Sequence, residues 1–237
     1  MTVHLRGERY RGERERGIVG GVKHLAHVAC LLVSIASTGC LASIRPPTSD
    51  PIPGPAQAAR GRERLSAAAR AHGQAAWAQT QSLSYRMTDS WQGLLGALGN
   101  PWPEARADVR VELRTGTFDA RATFMTGKEA GTTWGMQSWH TYEAHPGGTP
   151  HMTDDGDTRF ILAAVQYLLE FPFRASSAPL VADAGSTEVG GRAYDLVFVT
   201  WGSWDAHADA DQYVVYIGRE SGRVEKISYT IREFARF

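Results

Sequence analysis

Three histidines and three aspartates crowd one short stretch of the sequence. His140, His145 and His151 are followed by Asp154, Asp155 and Asp157 in HTYEAHPGGTPHMTDDGD. Imidazole nitrogens and carboxylates are the donors of zinc and calcium sites, so metal-assisted chemistry is the first possibility to weigh. The spacing does not favour it. It offers no His-x-x-x-His pair for one helix face and no calcium loop of the usual pattern. Pro146, Gly147, Gly148 and Pro150 instead read as a polar loop leading into a helix cap. A second stretch, WDAHADAD, puts Asp205, His207, Asp209 and Asp211 in alternation. In extended backbone all four would point one way; the preferred reading is a solvated hairpin loop. Ser138 lies near His140, but two such neighbours are no triad without a placed carboxylate. A nucleophile elbow, a phosphate-cradling glycine loop and a nucleotide fingerprint are all missing from the sequence. No cofactor and no metal is implied, and a metal-dependent enzyme built on the two His/Asp loops ranks behind the readings below.

A second chemistry is that of ring faces. Trp134, Trp139, Tyr142, Trp201, Trp204, Tyr213 and Tyr216 are the aromatic residues of interest in a chain with seven Trp, eight Tyr and eight Phe. Aromatic-lined apolar pockets are the default small-molecule site, and barrel mouths are a favoured place for them. The preferred reading is that these rings fill a core, with some lining a cavity if the sheet is only half closed.

A third chemistry belongs to sulfur. The only cysteines are Cys30 and Cys40. Both fall in or just after the apolar run LAHVACLLVSIASTG at 25–39, which follows Lys23 and His24. That run is too short and too interrupted for a comfortable membrane span. A basic start, a short apolar centre and a small-residue end describe a secretory signal. Ser37, Thr38 and Gly39 directly before Cys40 resemble the lipobox of bacterial lipoproteins. In that pattern the leader is cut before the cysteine and the thiol is acylated; Ser37 departs from it, standing where Leu is preferred. Residues 1–21 are long and charged for such a leader, and a start at Val22 would give one of ordinary shape. The resemblance implies lipidation at Cys40 and a place in the bacterial cell envelope. Leu41, where inner-membrane retention uses Asp, implies the outer membrane, facing the periplasm.

Charge adds an exclusion. The chain holds 25 basic and 25 acidic residues, and removal of residues 1–39, with their surplus of arginine, leaves a mildly acidic remainder. No basic stripe with interleaved aromatics appears, so a nucleic-acid partner is not expected. No cysteine follows Cys40, so an exported body would rely on its core and not on internal disulfides.

These groups need elements to hold them. Residues 40–61 carry Pro46, Pro47, Pro51, Pro53 and Pro55 and read as an extended tether. The domain is expected over 62–237, opening with a helix over 62–80 in which Gly73 is a weak spot. Then the period becomes two: Leu83, Tyr85 and Met87 share a face, as do Val109, Val111 and Leu113, and Phe118, Ala120, Ala122 and Phe124. Strict alternation marks antiparallel strands with one face in a core. DTRFILAAVQYLLEF at 157–171 is apolar nearly all round, predicting a helix buried on more than one side and stopped by Pro172. The remainder is a meander with hairpin signals at Gly190–Gly191 and Ser221–Gly222. In YDLVFVTW both alternating faces are apolar, so that strand should be covered on both sides.

The predicted fold is α+β: a strongly curved antiparallel sheet, an open half-barrel, wrapped around a buried helix, with an N-terminal helix. This arrangement over roughly 64–237 resembles the bacterial lipoprotein carriers and receptors LolA and LolB. WGMQSWHTYEAH, LLEFPF and DQYVVYIGRESGRVEKISYTIRE also look like segments of lipoproteins with such a sheet. The resemblance implies non-catalytic binding of a lipid or acyl chain, with the membrane as the other partner. Trp134, Trp139, Phe160, Tyr167, Phe198 and Trp201 are the expected wall residues. Leu94 and Leu95 are the nearest counterparts of the receptor's exposed loop leucine, with a short packed helix or a strand connection as their preferred role. The first alternative is a structural or protein-binding lipoprotein with a filled barrel.

Overall fold

A computed structural model describes residues 44, 52–204 and 210–230 of the chain. The first helix, α1, spans Pro55–Ala71. Pro55 occupies its first position, where a missing N–H is harmless, and the Gly54 N–H donates to Gln57 Oε1 at 2.9 Å. The helix therefore begins within the proline-rich stretch read as tether. It breaks at Gly73, whose φ of 86° lies in the left-handed region, before the short α2, Gln74–Gln79.

Two antiparallel meanders follow. The first is a six-stranded sheet, β1 (Ser82–Ser90), β2 (Arg106–Arg114), β3 (Ala120–Phe124), β4 (Thr133–Gln137), β5 (His140–Ala144) and β6 (His151–Thr153), paired in chain order. A short helix, α3 (Gly93–Gly99), joins β1 to β2. Next comes α4, Gly156–Arg174, and a 3-10 turn at Ala175–Ser177. The second sheet has β7 (Leu180–Val189), β8 (Arg192–Thr200), β9 (Gln212–Gly218) and β10 (Val224–Tyr229), also paired in chain order. The fold is α+β with no closed barrel among the described residues: the antiparallel wall is built in two parts because α4 interrupts the meander between β6 and β7.

The position of α4 explains its composition. Asp155 caps it by accepting from the Thr158 N–H at 2.6 Å. Ile161, Leu162, Val165 and Leu169 pack on the inner face of the first sheet with Val109, Val111, Ala122 and Met136. Phe171 and Tyr167 pack the other way, with Leu65 and Ala68 of α1 and with Val197, Val199 and Val215 of the second sheet. A helix held between two layers must be apolar on both sides. Pro172 lies inside α4 and does not end it. Two residues from the end it removes one backbone donor, and the last turn is held by the Ala175 N–H on Phe171 O and by an Arg174–Glu170 ion pair.

One polar stripe interrupts this packing. Gln166, Glu170 and Arg174 are spaced one turn apart, and the first two are buried. Gln166 Nε2 donates to Arg114 O at 2.9 Å and Thr117 O at 2.6 Å. Glu170 Oε1 accepts from the Gly116 N–H at 3.0 Å. The stripe fastens the β2–β3 turn to the helix through the turn's backbone groups.

The second sheet is apolar on both faces, as the YDLVFVTW pattern requires. Val197 and Val199 face the helices. Tyr194, Leu196 and Phe198 face away, with Ala184 and Val214. The close seat of α1 on β7 depends on Gly61, where a Cβ would lie 2.8 Å from both Ala182 C and Asp183 N.

Candidate functional site

The six expected wall residues fall in separate places. Tyr167 and Trp201 meet at a seam between α4 and the second sheet, with ring centroids 6.0 Å apart. Tyr213 of β9 lies 5.9 Å from Tyr167 and 5.6 Å from Trp201. Phe171 lies 5.1 Å from Tyr213, and Tyr229 stacks on Tyr213 at 5.9 Å. Trp201 and Tyr229 are 39% and 43% exposed, and the neighbouring helix residue Leu168 is also exposed. A continuous set of ring faces thus runs from the core to the surface. Burial pushes the Tyr167 phenol well above its usual range, helped by the adjacent Tyr213, which shares a hydrogen bond with it. Burial also raises Tyr229, with Asp211 nearby. Rings that present apolar faces and keep a protonated hydroxyl suit a ligand with an apolar body and a polar end.

Trp134 lies elsewhere, in a cleft of about 540 Å³ between residues 100–103, the ends of β4–β6 and the start of α4. Its ring stacks on Trp102 at 6.0 Å, and Trp102 Nε1 donates to Asp89 at 2.9 Å. Trp139 is 51% exposed in the β4–β5 turn. Ser138 and Trp139 both have positive φ, 49° and 67°, which is costly for residues with a Cβ. The Ser138 N–H donates to Asp119 Oδ1 at 2.8 Å and the Trp139 ring packs on Phe118 at 4.8 Å, contacts that hold the turn. Phe160 is half-buried on α4. Phe198 is fully buried on the far face of the second sheet, stacked on Trp204 at 5.7 Å.

His145, Asp154 and Asp155 of the polar loop engage protein partners. Glu143 Oε1 pairs with His145 Nε2 at 3.1 Å, Arg159 pairs with Asp154, and Asp155 caps α4. The His145 and His151 rings lie 6.1 Å apart. Among the described residues no three His, Cys, Asp or Glu side chains gather as a metal cluster would. Asp205, His207 and Asp209 of the second loop lie outside the described residues, as does Cys40.

Sequence reasoning singles out Tyr213 beside Trp201 among the rings of interest, though not as a wall residue, and misses Tyr229. Their signal is the alternation of DQYVVYIG and KISYT, which sets Tyr213 opposite Tyr229 in register. Leu94 does lie on α3, the short helix that connects β1 to β2, but it is not packed there: it is 78% exposed, as is Leu98 at 77%. Leu94 and Leu98 follow one another by a turn, so both sit on one side of a helix too short to bury it.

No protein-family model matches the sequence, and no curated protein does. Among solved structures, the Mycobacterium tuberculosis lipoprotein LppX aligns with 71% of this chain and 86% of its own, at 12% identity and a TM-score of 0.30. A likeness so distant assigns neither fold nor function. Among the described residues no helix is long and apolar enough to cross a membrane.

Proposed function

We propose that this chain is a lipoprotein of the bacterial cell envelope, anchored through acylated Cys40, that binds an amphipathic lipid or acyl chain without catalysis. The observation that carries this reading is the ring-lined seam of Tyr167, Trp201, Tyr213 and Tyr229, which reaches the surface between α4 and the second sheet. Apolar burial would drive binding, at about 25 cal/mol per Å². The phenols would meet the polar end. The outer membrane, facing the periplasm, is the proposed location, on the strength of Leu41. Residues 1–39 are the proposed leader, read from Met1 or Val22, and the linker is proposed to end where α1 begins, at Pro55.

A filled, protein-binding domain is the second reading. It is favoured by α4 itself, which packs both sheets and occupies the space that a half-barrel cavity would need.

The test is solvent extraction of residues 41–237 purified without detergent from the periplasm. The proposal expects non-covalently bound lipid at about one per chain, and its loss in Trp201→Ala. A wild-type protein that carries no lipid and binds no acyl probe would favour the filled-domain reading instead.

A further inference from the structure

The cleft beside Trp134 shares no residue with the seam and has a chemistry of its own. Its volume of about 540 Å³ falls within the range of small-molecule pockets, roughly 300–1,000 Å³. Trp134 supplies a wall that is already fixed, stacked on Trp102 at 6.0 Å and in edge contact with Phe124 at 5.1 Å. Four carboxylates also line the cleft, those of Glu143, Asp154, Asp155 and Asp157, and no Lys, Arg or His does. His145 and Arg159 pair with Glu143 and Asp154 from outside the lining. Asp157 has neither an ion pair nor a hydrogen bond among the described residues. Thr158 is a separate pointer. It lines the cleft and is only 4% exposed. Its backbone N–H donates to Asp155 Oδ1, but its hydroxyl has no hydrogen-bond partner among the described residues. Buried polar groups are normally paired, so this hydroxyl is a group that a ligand in the cleft can satisfy.

We propose that this cleft binds a small organic cation, an alkylammonium ion whose apolar stem lies against Trp134 and whose N–H donors meet the Thr158 hydroxyl and the carboxylates. Charge selects the class. The N-terminus of α4 contributes about half a positive charge, against two full negative ones from Asp155 and Asp157 at that same terminus. The lining therefore stays anionic and favours a cation. It supplies acceptors, so the ligand must bring donors, as an ammonium group does. Among the described residues no three carboxylate or imidazole groups gather as a metal ion needs. Charge spread in this way suits a diffuse organic cation better than a metal. An ammonium near a tryptophan face gains a cation–π contribution, for which that ring is the best of the three. An amine joined to a phosphate, as in a lipid headgroup, would carry in the charge that the lining repels, so the free amine is the class inferred.

Calorimetric titration of the full-length chain, held in a neutral detergent, with the diamine cadaverine tests the assignment. Saturable binding is expected, weakening as sodium chloride is raised. Pentanediol, the uncharged analogue, and phosphoethanolamine, an ammonium beside a phosphate, should each bind several-fold more weakly. Thr158→Val keeps the backbone N–H on Asp155 and should weaken cadaverine about tenfold with little change in melting temperature. Asp157→Asn should weaken it several-fold and make the salt dependence shallower. Absence of saturable binding, or equal affinity for cadaverine and pentanediol, overturns the site. Equal affinity for phosphoethanolamine overturns the choice of a free amine. Affinity unchanged in both variants places cadaverine elsewhere on the chain and overturns the site as well.

Discussion

Glu170 has the most to lose from a single change. Its carboxylate receives Arg174 Nε at 2.6 Å, the Gly116 N–H at 3.0 Å and Gln166 Nε2 at 3.1 Å, in a site that is 1% exposed. Breaking a buried pair on one side leaves its partner uncompensated. Glu170→Ala should lower unfolding free energy by about 3 kcal/mol in urea titrations, while Glu170→Gln, which keeps an acceptor for Gly116, should lower it less. The tyrosines make a separate prediction. Burial raises the Tyr85 phenol to about 12 and raises Tyr167 further. In the unfolded chain both ionise near 10. Above about pH 10 the folded state then holds protons that the unfolded state has released, so these two groups contribute no pH dependence below that point and a loss of stability as pH rises above it. Tyr85→Phe and Tyr167→Phe should each flatten that alkaline loss, read as denaturant midpoint against pH.

At the scale of elements, Gly61 controls how closely α1 approaches β7. A Cβ there would lie 2.8 Å from strand backbone, which cannot move aside as a flexible side chain could. Gly61→Val should cost about 2 kcal/mol through overpacking, although valine is tolerated in many helices. By contrast, Leu94→Ser with Leu98→Ser should leave the melting temperature nearly unchanged, because both side chains stand in solvent. How much of the fold the sequence discloses follows from the same physics. Alternation identifies the strands because one face of each meets a core, as in Val109, Val111 and Leu113. Apolarity on both sides marks α4 and β8 as central elements. Alternation gives faces but not layers, so Phe198 could not be told from a residue lining the interior, and it lies on the outer side. The break between two sheets depends on where α4 docks, which is a long-range matter. The stop at Pro172 was misplaced because an Arg174–Glu170 pair holds the last turn. The seam is legible in part, through Tyr167, Trp201 and Tyr213; Tyr229 is not, because it joins them only by the pairing of β10 with β9.

At the scale of the molecule, α4 occupies the interior between the sheets, so the proposed ligand would bind at the seam beside it and not inside a half-barrel. The proposal thus places the apolar work on rings that are already partly exposed, with Trp201 as mouth of the proposed site and as its reporter. The most direct measurement is quenching of tryptophan fluorescence by a brominated fatty acid added to residues 41–237. Saturable quenching is the expected result, with Trp201→Ala weakening the affinity about tenfold, the effect of roughly 60 Å² of lost apolar contact. Quenching that rises linearly without saturation, or that is unchanged in affinity by Trp201→Ala, would contradict the account.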